Sequence, residues 1–467
     1  MESIEGEKYP NERRIYVMKG LTPEVVAVTF AKTSRSPKPF DEIAKELTEE
    51  KSSQFHERWV VGYGHSSVAE HAVLSIAIEN VSILATKVIE DNRLASFTEK
   101  STRYQSFDRN RYHKPKKIMA SSLARLYEKT ADFLMDNYLE TISKLLEFIQ
   151  KKYPRQENED EKLYQMRIKN IALDNCRFML PAATLTNLGM TINARNLEYA
   201  IVKLLTNPLE EMHEIGEEIK NEALKVTPTL VKYTAFNKYF AETSQQMLNL
   251  SQSLLAIKRS KNQDGPVLVD YDKDAEEKLV TALLYRVSKY PYNQIRKIVR
   301  KMSPESKAKV IDEALNRLGK FDRPLRELEH IYYTFDILID YGAFRDVQRH
   351  RMCTQTNQDL TIEHGYVIPD EIVEAGLREQ YEKSMKKAAK AYREIAKELP
   401  AHAAYIVPLA YKKRTLFTWN LRELFHFIKL RSGKTGHESY RKLAQQIYDI
   451  LADKQPLLAK YITVDKS

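Results

Sequence analysis

Three side chains that can carry positive charge, Arg349, His350 and Arg351, stand next to one another in the stretch QRHRMCTQTNQ at residues 348–358. The arginine guanidinium is a planar fork that binds phosphate or carboxylate through two parallel hydrogen bonds. The chain has only 13 glycines and neither of the common glycine-rich phosphate loops, so such side chains would have to bind any phosphate themselves. The stretch therefore indicates an anion site, although a solvated loop is the ordinary alternative for a single run of this kind.

The overall composition restricts the class of protein. The chain has 467 residues, 43% hydrophobic and 30% charged, which is typical of a globular protein with two or three domains. Its net charge of +10 favours anionic small molecules over nucleic acid as partners. With two cysteines in the chain we expect neither disulfides nor a metal site. The polar N-terminus and the lack of a long apolar run predict a cytoplasmic protein without a membrane anchor.

The chain contains the same series of segments twice, in the same order. In each pair the apolar and charged residues follow one another at matching spacing, with a shared glutamate–histidine pair or a shared proline at the start of the longer segments. The matched pairs are 24–37 with 278–291, 70–93 with 329–351, and 178–205 with 405–431. We therefore predict two copies of one unit, copy one at 1–235 and copy two at 266–467, joined by a helical connection and linker at 236–265.

The apolar spacing predicts a helix-rich α+β fold. Apolar residues recur every three or four positions in 121–153, 209–226 and 378–399, which is typical of amphipathic helices. The segment 71–89 is rich in β-branched residues and partly alternates, so we predict a strand followed by a helix. The polar segment 256–274 has Gly-Pro at its centre and is predicted to be a linker.

Several short motifs resemble the signature of the flavin-dependent thymidylate synthases, which runs R-H-R-x-x-S-x-N-x-x-S-x-R-Y. Copy two keeps its front as RHR (349–351), and copy one keeps its back as SFTEKSTRY (96–104). Four more blocks are similar to motifs of that family: GHSSVAEH (64–71), CRFMLP (176–181), INARNL (192–197) and NLRELFHFIKLR (420–431). The resemblance implies two tandem helix-rich α/β units of the flavin-dependent thymidylate synthase type.

The two copies depart from this signature in complementary ways. Copy one has Asp91, Asn92 and Leu204 where the family has arginine, histidine and a late arginine. Copy two has Thr361 and Ile362 where the family has the arginine and tyrosine of S-x-R-Y. Because the family's sites lie between subunits, each copy of a fused pair needs only the half that faces a shared pocket. We therefore expect a composite site and a homodimer that forms a pseudo-tetramer. Whether a pocket joins copies within or between chains stays open, with the arrangement between chains favoured.

The resemblance also implies the reaction and the residues that serve it. The reaction is the reductive methylation of dUMP to dTMP, with FAD as cofactor, methylenetetrahydrofolate as carbon donor and NADPH as hydride source. Arg431 takes the catalytic, electrostatic role. The substrate-binding residues implied are Glu99, Ser101, Arg103, Arg177, Arg349 and Arg431. The flavin-binding residues implied are His65, Ser67, Glu70, Asn193, Arg195, Arg349, His350, Arg351, Asn420 and Arg422.

Other interpretations of the same residues remain open. Arg195 and Arg422 could pair with a carboxylate inside their own copy instead of contacting a flavin. The chain could also be a non-catalytic flavin-binding or nucleotide-binding relative. A third hypothesis is a flavoenzyme that acts on another pyrimidine substrate, such as RNA, which the isoelectric point of about 9.1 would allow.

Overall fold

The structure is a computed structural model that describes residues 13–47, 52, 55, 66–255 and 263–467. The chain divides into two compact units. The first unit comprises residues 1–100, 115–117 and 185–257, and the second comprises 101–114, 118–184 and 258–467. The second unit thus contains the part of copy one that lies between its second and third strands. The repeat boundaries given above remain a prediction about the sequence.

The first unit is built on an antiparallel sheet with the strand order β1-β3-β2 among its described residues. The strands are β1 (Val73–Ser82), β2 (Ala95–Glu99) and β3 (Leu185–Asn193). Its helices are Pro23–Thr33, Phe40–Lys45, Ile83–Ile89, Ala194–Leu205, Glu210–Leu224 and Lys238–Leu254, with a 3-10 helix at Ser66–His71. The short helix Lys116–Met119 belongs partly to each unit.

The second unit is built on a larger antiparallel sheet with the strand order β4-β5-β7-β6. The strands are β4 (Gly265–Tyr271), β5 (Tyr332–Asp340), β6 (Thr354–Asn357) and β7 (Lys412–Asn420). Its helices are Ala124–Lys152, Glu161–Cys176, Ala275–Val287, Tyr292–Lys301, Pro304–Leu315, Tyr341–Val347, Asp370–Glu374, Arg378–Glu398, Leu421–Arg431, Glu438–Lys454 and Pro456–Ala459. Short 3-10 helices occupy Arg177–Met179, Arg326–His330 and Pro400–Ile406.

The two sheets share one internal order, because β1-β3-β2 corresponds strand by strand to β5-β7-β6. The helix after the middle strand also begins in the same way in both. The Asn193 side chain accepts a hydrogen bond from the Asn196 amide at 3.0 Å, and Asn420 accepts one from the Glu423 amide at 2.8 Å. Each asparagine is therefore an N-cap, a role that needs no bound ligand.

The predicted helix-rich α+β class is confirmed. The segment 71–89 forms a strand followed by the helix Ile83–Ile89, and the three amphipathic segments form long helices. No helix within the described ranges has the length and apolar character needed to cross a membrane.

One predicted element was wrong. The segment predicted as a linker, 256–274, contains the strand β4, which pairs with β5. The apolar run of β4 is short, and the neighbouring charges and Pro266 favoured the prediction of a linker over that of a strand. Proline is tolerated here because β4 lies at the edge of its sheet, where one row of backbone donors needs no partner.

Equivalent segments of the two copies pair with each other inside the second unit. The Ala182 amide donates to the Val407 carbonyl at 2.8 Å, and the Leu409 amide donates to the Leu180 carbonyl at 2.9 Å. The centre of this short antiparallel contact is the bridge between Pro181 and its counterpart Pro408. The pairing holds the CRFMLP segment of copy one in the core of the unit that also contains copy two.

Candidate functional site

A half-buried carboxylate, Asp174, holds two arginines of copy one. The Arg103 Nε donates to Asp174 Oδ1 at 3.0 Å, and the Arg177 Nε lies 3.1 Å from the same oxygen. Burial acts to raise the pKa of the Asp174 carboxyl, but the charges of Arg177, His437 and Arg103 outweigh it and hold the pKa below its ordinary value. One ionised carboxylate thus faces two guanidinium groups, which leaves an excess of positive charge.

Arg177 pairs with Asp174 through Nε at 3.1 Å, but its buried donors lack well-aligned acceptors. Its side chain is 2% exposed and lies over the ring of Phe178, with Cζ 5.3 Å from the ring centroid. Neither its Nε nor its Nη2 has an aligned hydrogen-bond partner in the described part of the chain. Leaving a buried charged donor unsatisfied is costly, so such groups in native proteins call for an explanation. An anionic ligand whose oxygens accept these hydrogen bonds would be a direct explanation.

Arg103 connects this carboxylate to copy two. Its Nη1 donates to the Tyr440 hydroxyl at 3.1 Å, and its Nη2 donates to the Thr435 carbonyl at 3.2 Å. Burial acts to lower the pKa of the Arg103 guanidinium, but the charge of Asp174 and the Tyr440 hydroxyl hold it above its ordinary value. The face of the Tyr440 ring is occupied by Arg431, whose Cζ lies 5.3 Å from the ring centroid. Tyr440 therefore brings arginines of the two copies together.

Arg431 is oriented by two further contacts. Its Nε donates to His350 Nε2 at 2.9 Å, and its Nη2 donates to the Asp346 carbonyl at 2.8 Å. Its Nη1 lies 3.7 Å from the Asp346 carboxylate. Burial lowers the pKa of the Arg431 guanidinium, but an arginine remains a cation in any accessible pH range. The site thus contains a fixed, partly desolvated positive charge.

His350 accepts from Arg431 on one ring nitrogen and faces a carboxylate with the other. The His350 Nδ1 lies 3.1 Å from Glu423 Oε1. Since the arginine can only donate, the His350 proton must sit on Nδ1. Burial lowers the pKa of His350, which favours this neutral form. The neighbouring Arg349 is exposed and 3.8 Å from Asp346, and Arg351 is half-buried.

The two other residues predicted to bind substrate have contacts of their own. The Ser101 Oγ accepts from the Arg103 amide at 3.2 Å, which shapes the turn that presents Arg103. Glu99 belongs to the first unit, where its Oε2 accepts from Lys87 Nζ at 3.0 Å and its Oε1 accepts from Thr86 at 3.0 Å. Its carboxylate is therefore already neutralised inside that unit.

The predicted flavin-binding residues of copy one lie in the first unit, except His65, which lies outside the described residues. Ser67 lines a cavity of about 640 Å³ together with Arg35. Arg195 and Glu70 form an exposed ion pair. The cavity also contains Lys32, Ser34, Ser36, Lys38 and His71. The lining also includes the Glu46 carboxylate, which pairs with Lys38, and apolar side chains such as Phe30 and Phe55.

The predicted flavin-binding residues of copy two on β7 and its following helix have internal partners. Asn420 is the N-cap described above. The Arg422 Nε donates to the Pro324 carbonyl at 2.8 Å, and its Nη1 donates to Glu329 at 2.7 Å. The carboxylate pairing that the sequence left open is therefore present for both Arg195 and Arg422, and their contact with a flavin remains a prediction.

Several members of this cluster were not singled out from the sequence. Asp174 could have been found, because it stands one helical turn before Arg177, at the spacing of an ion pair. Tyr440 and Glu423 lie far along the chain from Arg103 and His350, and they have no spacing signal. Their place in the cluster depends on how the helices of copy two pack.

Acid should destabilise the protein through His350 and His437. Burial lowers the pKa of both imidazoles, with Arg177 acting in the same direction on His437. The unfolded chain, with histidine pKa values near 6.5, therefore takes up protons first as the pH falls. The two neutral histidines contribute fully to stability above pH of about 6.5. Below that pH the free energy of unfolding falls by at most about 1.4 kcal/mol per pH unit for each histidine.

Urea unfolding at several pH values between about 7.5 and about 5 checks this expectation. The variant His350→Asn carries the residue that copy one has at this position, and its free energy of unfolding should fall less steeply with acid. Equal slopes for the variant and the parent protein would contradict the assignment.

The sequence profile of the thymidylate synthase complementing protein family matches residues 17–229 and again residues 267–457. These regions make up most of the chain, so the chain belongs to this family, and the match confirms the family predicted from the motifs. Two successive matches fit a tandem arrangement of the family unit.

Relatives of two kinds are similar to this chain. The UPF0159 protein of Chlamydia muridarum is 34% identical over 464 residues, covering 92% of this chain and 88% of that protein. The UPF0159 protein of Thermoplasma acidophilum is 30% identical over 456 residues, with 89% of each chain covered. The flavin-dependent thymidylate synthase of Clostridium tetani is 30% identical over 213 residues, 45% of this chain and 82% of that enzyme.

A solved structure of Helicobacter pylori flavin-dependent thymidylate synthase, complexed with FAD and dUMP, is 17% identical in sequence. The match covers 43% of this chain and 100% of that one, with a TM-score of 0.33. At that TM-score the likeness supports no conclusion about this chain.

Proposed function

We propose that this chain is a flavin-dependent thymidylate synthase that converts dUMP to dTMP by reductive methylation. Methylenetetrahydrofolate would donate the carbon, NADPH the hydride, and FAD would be the cofactor. The observation that carries the proposal is the cluster around Asp174 and Tyr440, where arginines of both copies meet in one unit. Membership of the family and the likeness to the Clostridium tetani enzyme support it.

The proposed pocket is composite and lies within one chain. Copy one contributes Arg103 and Arg177, and copy two contributes His350 and Arg431. The hydrogen bonds from Arg103 to copy two of its own chain lead us to prefer this arrangement to one between chains. Two such chains would form a homodimer with two sites.

The charged residues have separable tasks in this proposal. The nucleotide phosphate would accept hydrogen bonds from the unsatisfied donors of Arg177, with Arg103 adding charge. Arg431 would stabilise the negative charge that must build on the pyrimidine ring before its C5 can act as a nucleophile.

Neither cysteine is placed to serve as a nucleophile. Burial raises the pKa of the Cys176 thiol, so it stays protonated. The Cys353 thiol is also buried and donates to the His350 carbonyl at 2.9 Å. A thiolate is the reactive form of cysteine, and neither environment favours it. This suits a reaction in which a flavin carries the chemistry.

A bound FAD would supply the hydride and mediate transfer of the methylene carbon. In the second unit, Arg349 is exposed and available to an anionic group.

Two measurements on the purified protein test the proposed function. It should bind FAD noncovalently when reconstituted, and it should release tritium from C5-labelled dUMP when methylenetetrahydrofolate and NADPH are added. An Arg177→Ala variant should lose most of the tritium release because its buried guanidinium is the proposed phosphate contact.

The two measurements separate the alternatives. Flavin binding without tritium release would indicate a non-catalytic relative or another pyrimidine substrate. Absence of flavin binding in excess FAD would contradict the proposal as a whole.

A further inference from the structure

Three buried or half-buried side chains of copy two, Glu423, His350 and Arg431, form a continuous line of hydrogen bonds. We propose that Glu423 is a positioning residue that holds Arg431 in its working orientation through His350. This inference rests on the proposed function, because the role of Arg431 is taken from it. The carboxylate is the residue after Arg422 in the NLRELF segment, and the corresponding residue of the INARNL segment in copy one is Asn196.

The protonation state of His350 explains why a carboxylate is needed. The imidazole must keep a lone pair on Nε2 to accept from Arg431, so its proton must stay on Nδ1. Glu423 is the acceptor that Nδ1 faces. Without it, the neutral ring would be free to place the proton on Nε2, where two donors would oppose each other. Fixing a histidine tautomer through its other nitrogen is a general use of carboxylates.

The orientation of the guanidinium follows from contacts on two sides. His350 holds Nε, and the Asp346 carbonyl holds Nη2, so the plane of the Arg431 group is defined. The ring of Phe427 packs edge-on against His350 with centroids 5.0 Å apart. The other titratable groups around His350 are His426, whose ring centroid is 5.4 Å away, and Arg431 itself.

Copy one provides an internal comparison at the same three positions. It carries Asn196, Asn92 and Leu204 where copy two has Glu423, His350 and Arg431. Asn92 donates to the Ile89 carbonyl at 2.7 Å, and Asn196 donates to the Asn193 side chain at 2.7 Å. The line of hydrogen bonds is therefore absent as a whole from the copy that lacks the late arginine.

The same comparison separates a positioning role from a structural one. The helix Ala194–Leu205 of copy one corresponds to Leu421–Arg431 of copy two and forms after the same kind of asparagine cap. Since this helix forms in copy one without the glutamate or the histidine, neither residue is needed to form the helix itself. In copy two, the glutamate and the histidine occur together with Arg431.

The test compares Glu423→Ala with Glu423→Gln. The glutamine keeps an oxygen that can accept from Nδ1, so its turnover should stay within about threefold of the parent protein. The alanine removes the acceptor and should lower kcat by about tenfold to a hundredfold, with a smaller change in the KM for dUMP, because a misplaced catalytic group affects the transition state most. Glu394→Gln removes a carboxylate that is paired on the surface of the same unit and should have no effect.

A second readout does not depend on turnover. Nitrogen-15 NMR of labelled histidine reports the tautomer of His350, whose signals are assigned by their loss in His350→Asn. The parent protein and Glu423→Gln should show the proton on Nδ1, and Glu423→Ala should show a mixture of tautomers. If the protein proves inactive on dUMP, this measurement still tests the positioning role. An unchanged tautomer in Glu423→Ala, or equal losses of kcat in the two variants, would overturn the proposal.

Discussion

Replacing Arg431 by alanine is expected to lower turnover about a hundredfold while leaving FAD binding unchanged. The guanidinium is partly desolvated and fixed by His350 and Asp346, so it would act on charge as that charge develops. Removing one such electrostatic contact typically costs about 3 kcal/mol of transition-state stabilisation. Tritium release from labelled dUMP measures the first effect, and a flavin titration measures the second.

Two comparisons make the result specific. Arg431→Lys keeps the charge but loses the planar fork, so its turnover should lie between those of the parent protein and the alanine variant. Arg317→Ala removes an exposed arginine of the same unit that pairs with Glu313, and it should leave turnover unchanged. Near-normal turnover in Arg431→Ala would mean that copy two does not supply the catalytic cation. The equivalent residue of copy one, Leu204, is a poor control because it is buried and its truncation would itself destabilise the fold.

Replacing Arg103 by alanine is expected to abolish most activity, with a loss of about a hundredfold or more. This side chain donates to Asp174, to Tyr440 and to the Thr435 carbonyl, and so connects the two halves of the site. Without Arg103, Asp174 would lose one of its two arginine partners. Removing one partner from a desolvated group of charges lowers the free energy of unfolding.

The measurement for Arg103 should separate folding from catalysis. Urea unfolding reports stability, while tritium release at saturating dUMP reports kcat. Arg109→Ala provides a matched control, because Arg109 lies on the same segment and makes an exposed ion pair with Asp136. Loss of activity in both variants would indicate a general defect of the segment. Retention of activity in Arg103→Ala would exclude Arg103 from the site.

Much of the architecture could be predicted from the sequence because it depends on local patterns. The long helices follow from apolar residues at helical spacing, and the repeated order of strands follows from the matched segments. Arg103, Arg177, His350 and Arg431 were identified because their motifs resemble those of a family. The strand β4 was missed because its pattern is short and its place is fixed by pairing with β5.

The rest of the site depends on contacts between distant parts of the chain. Arg103 and Tyr440 are separated by 337 positions, and no local pattern links them. Glu423 stands within a recognised motif, but its role appears only when His350 is placed beside it. The sequence also left open which copies share a pocket, because complementary losses are consistent with both arrangements. The resemblance favoured the arrangement between chains, whereas the hydrogen bonds of Arg103 lead us to prefer the one within a chain.

The central claim is that Arg103 of copy one and Arg431 of copy two serve one pocket within one chain. Mixed dimers test it most directly. A chain carrying both Arg103→Ala and Arg431→Ala is co-expressed with the unaltered chain under a different tag, and dimers holding both tags are isolated. If each pocket lies within one chain, the unaltered chain keeps a complete site and the mixed dimer should have about half of the parent activity. If pockets join copies from different chains, every site in the mixed dimer carries a lesion. A mixed dimer without activity would therefore contradict the account.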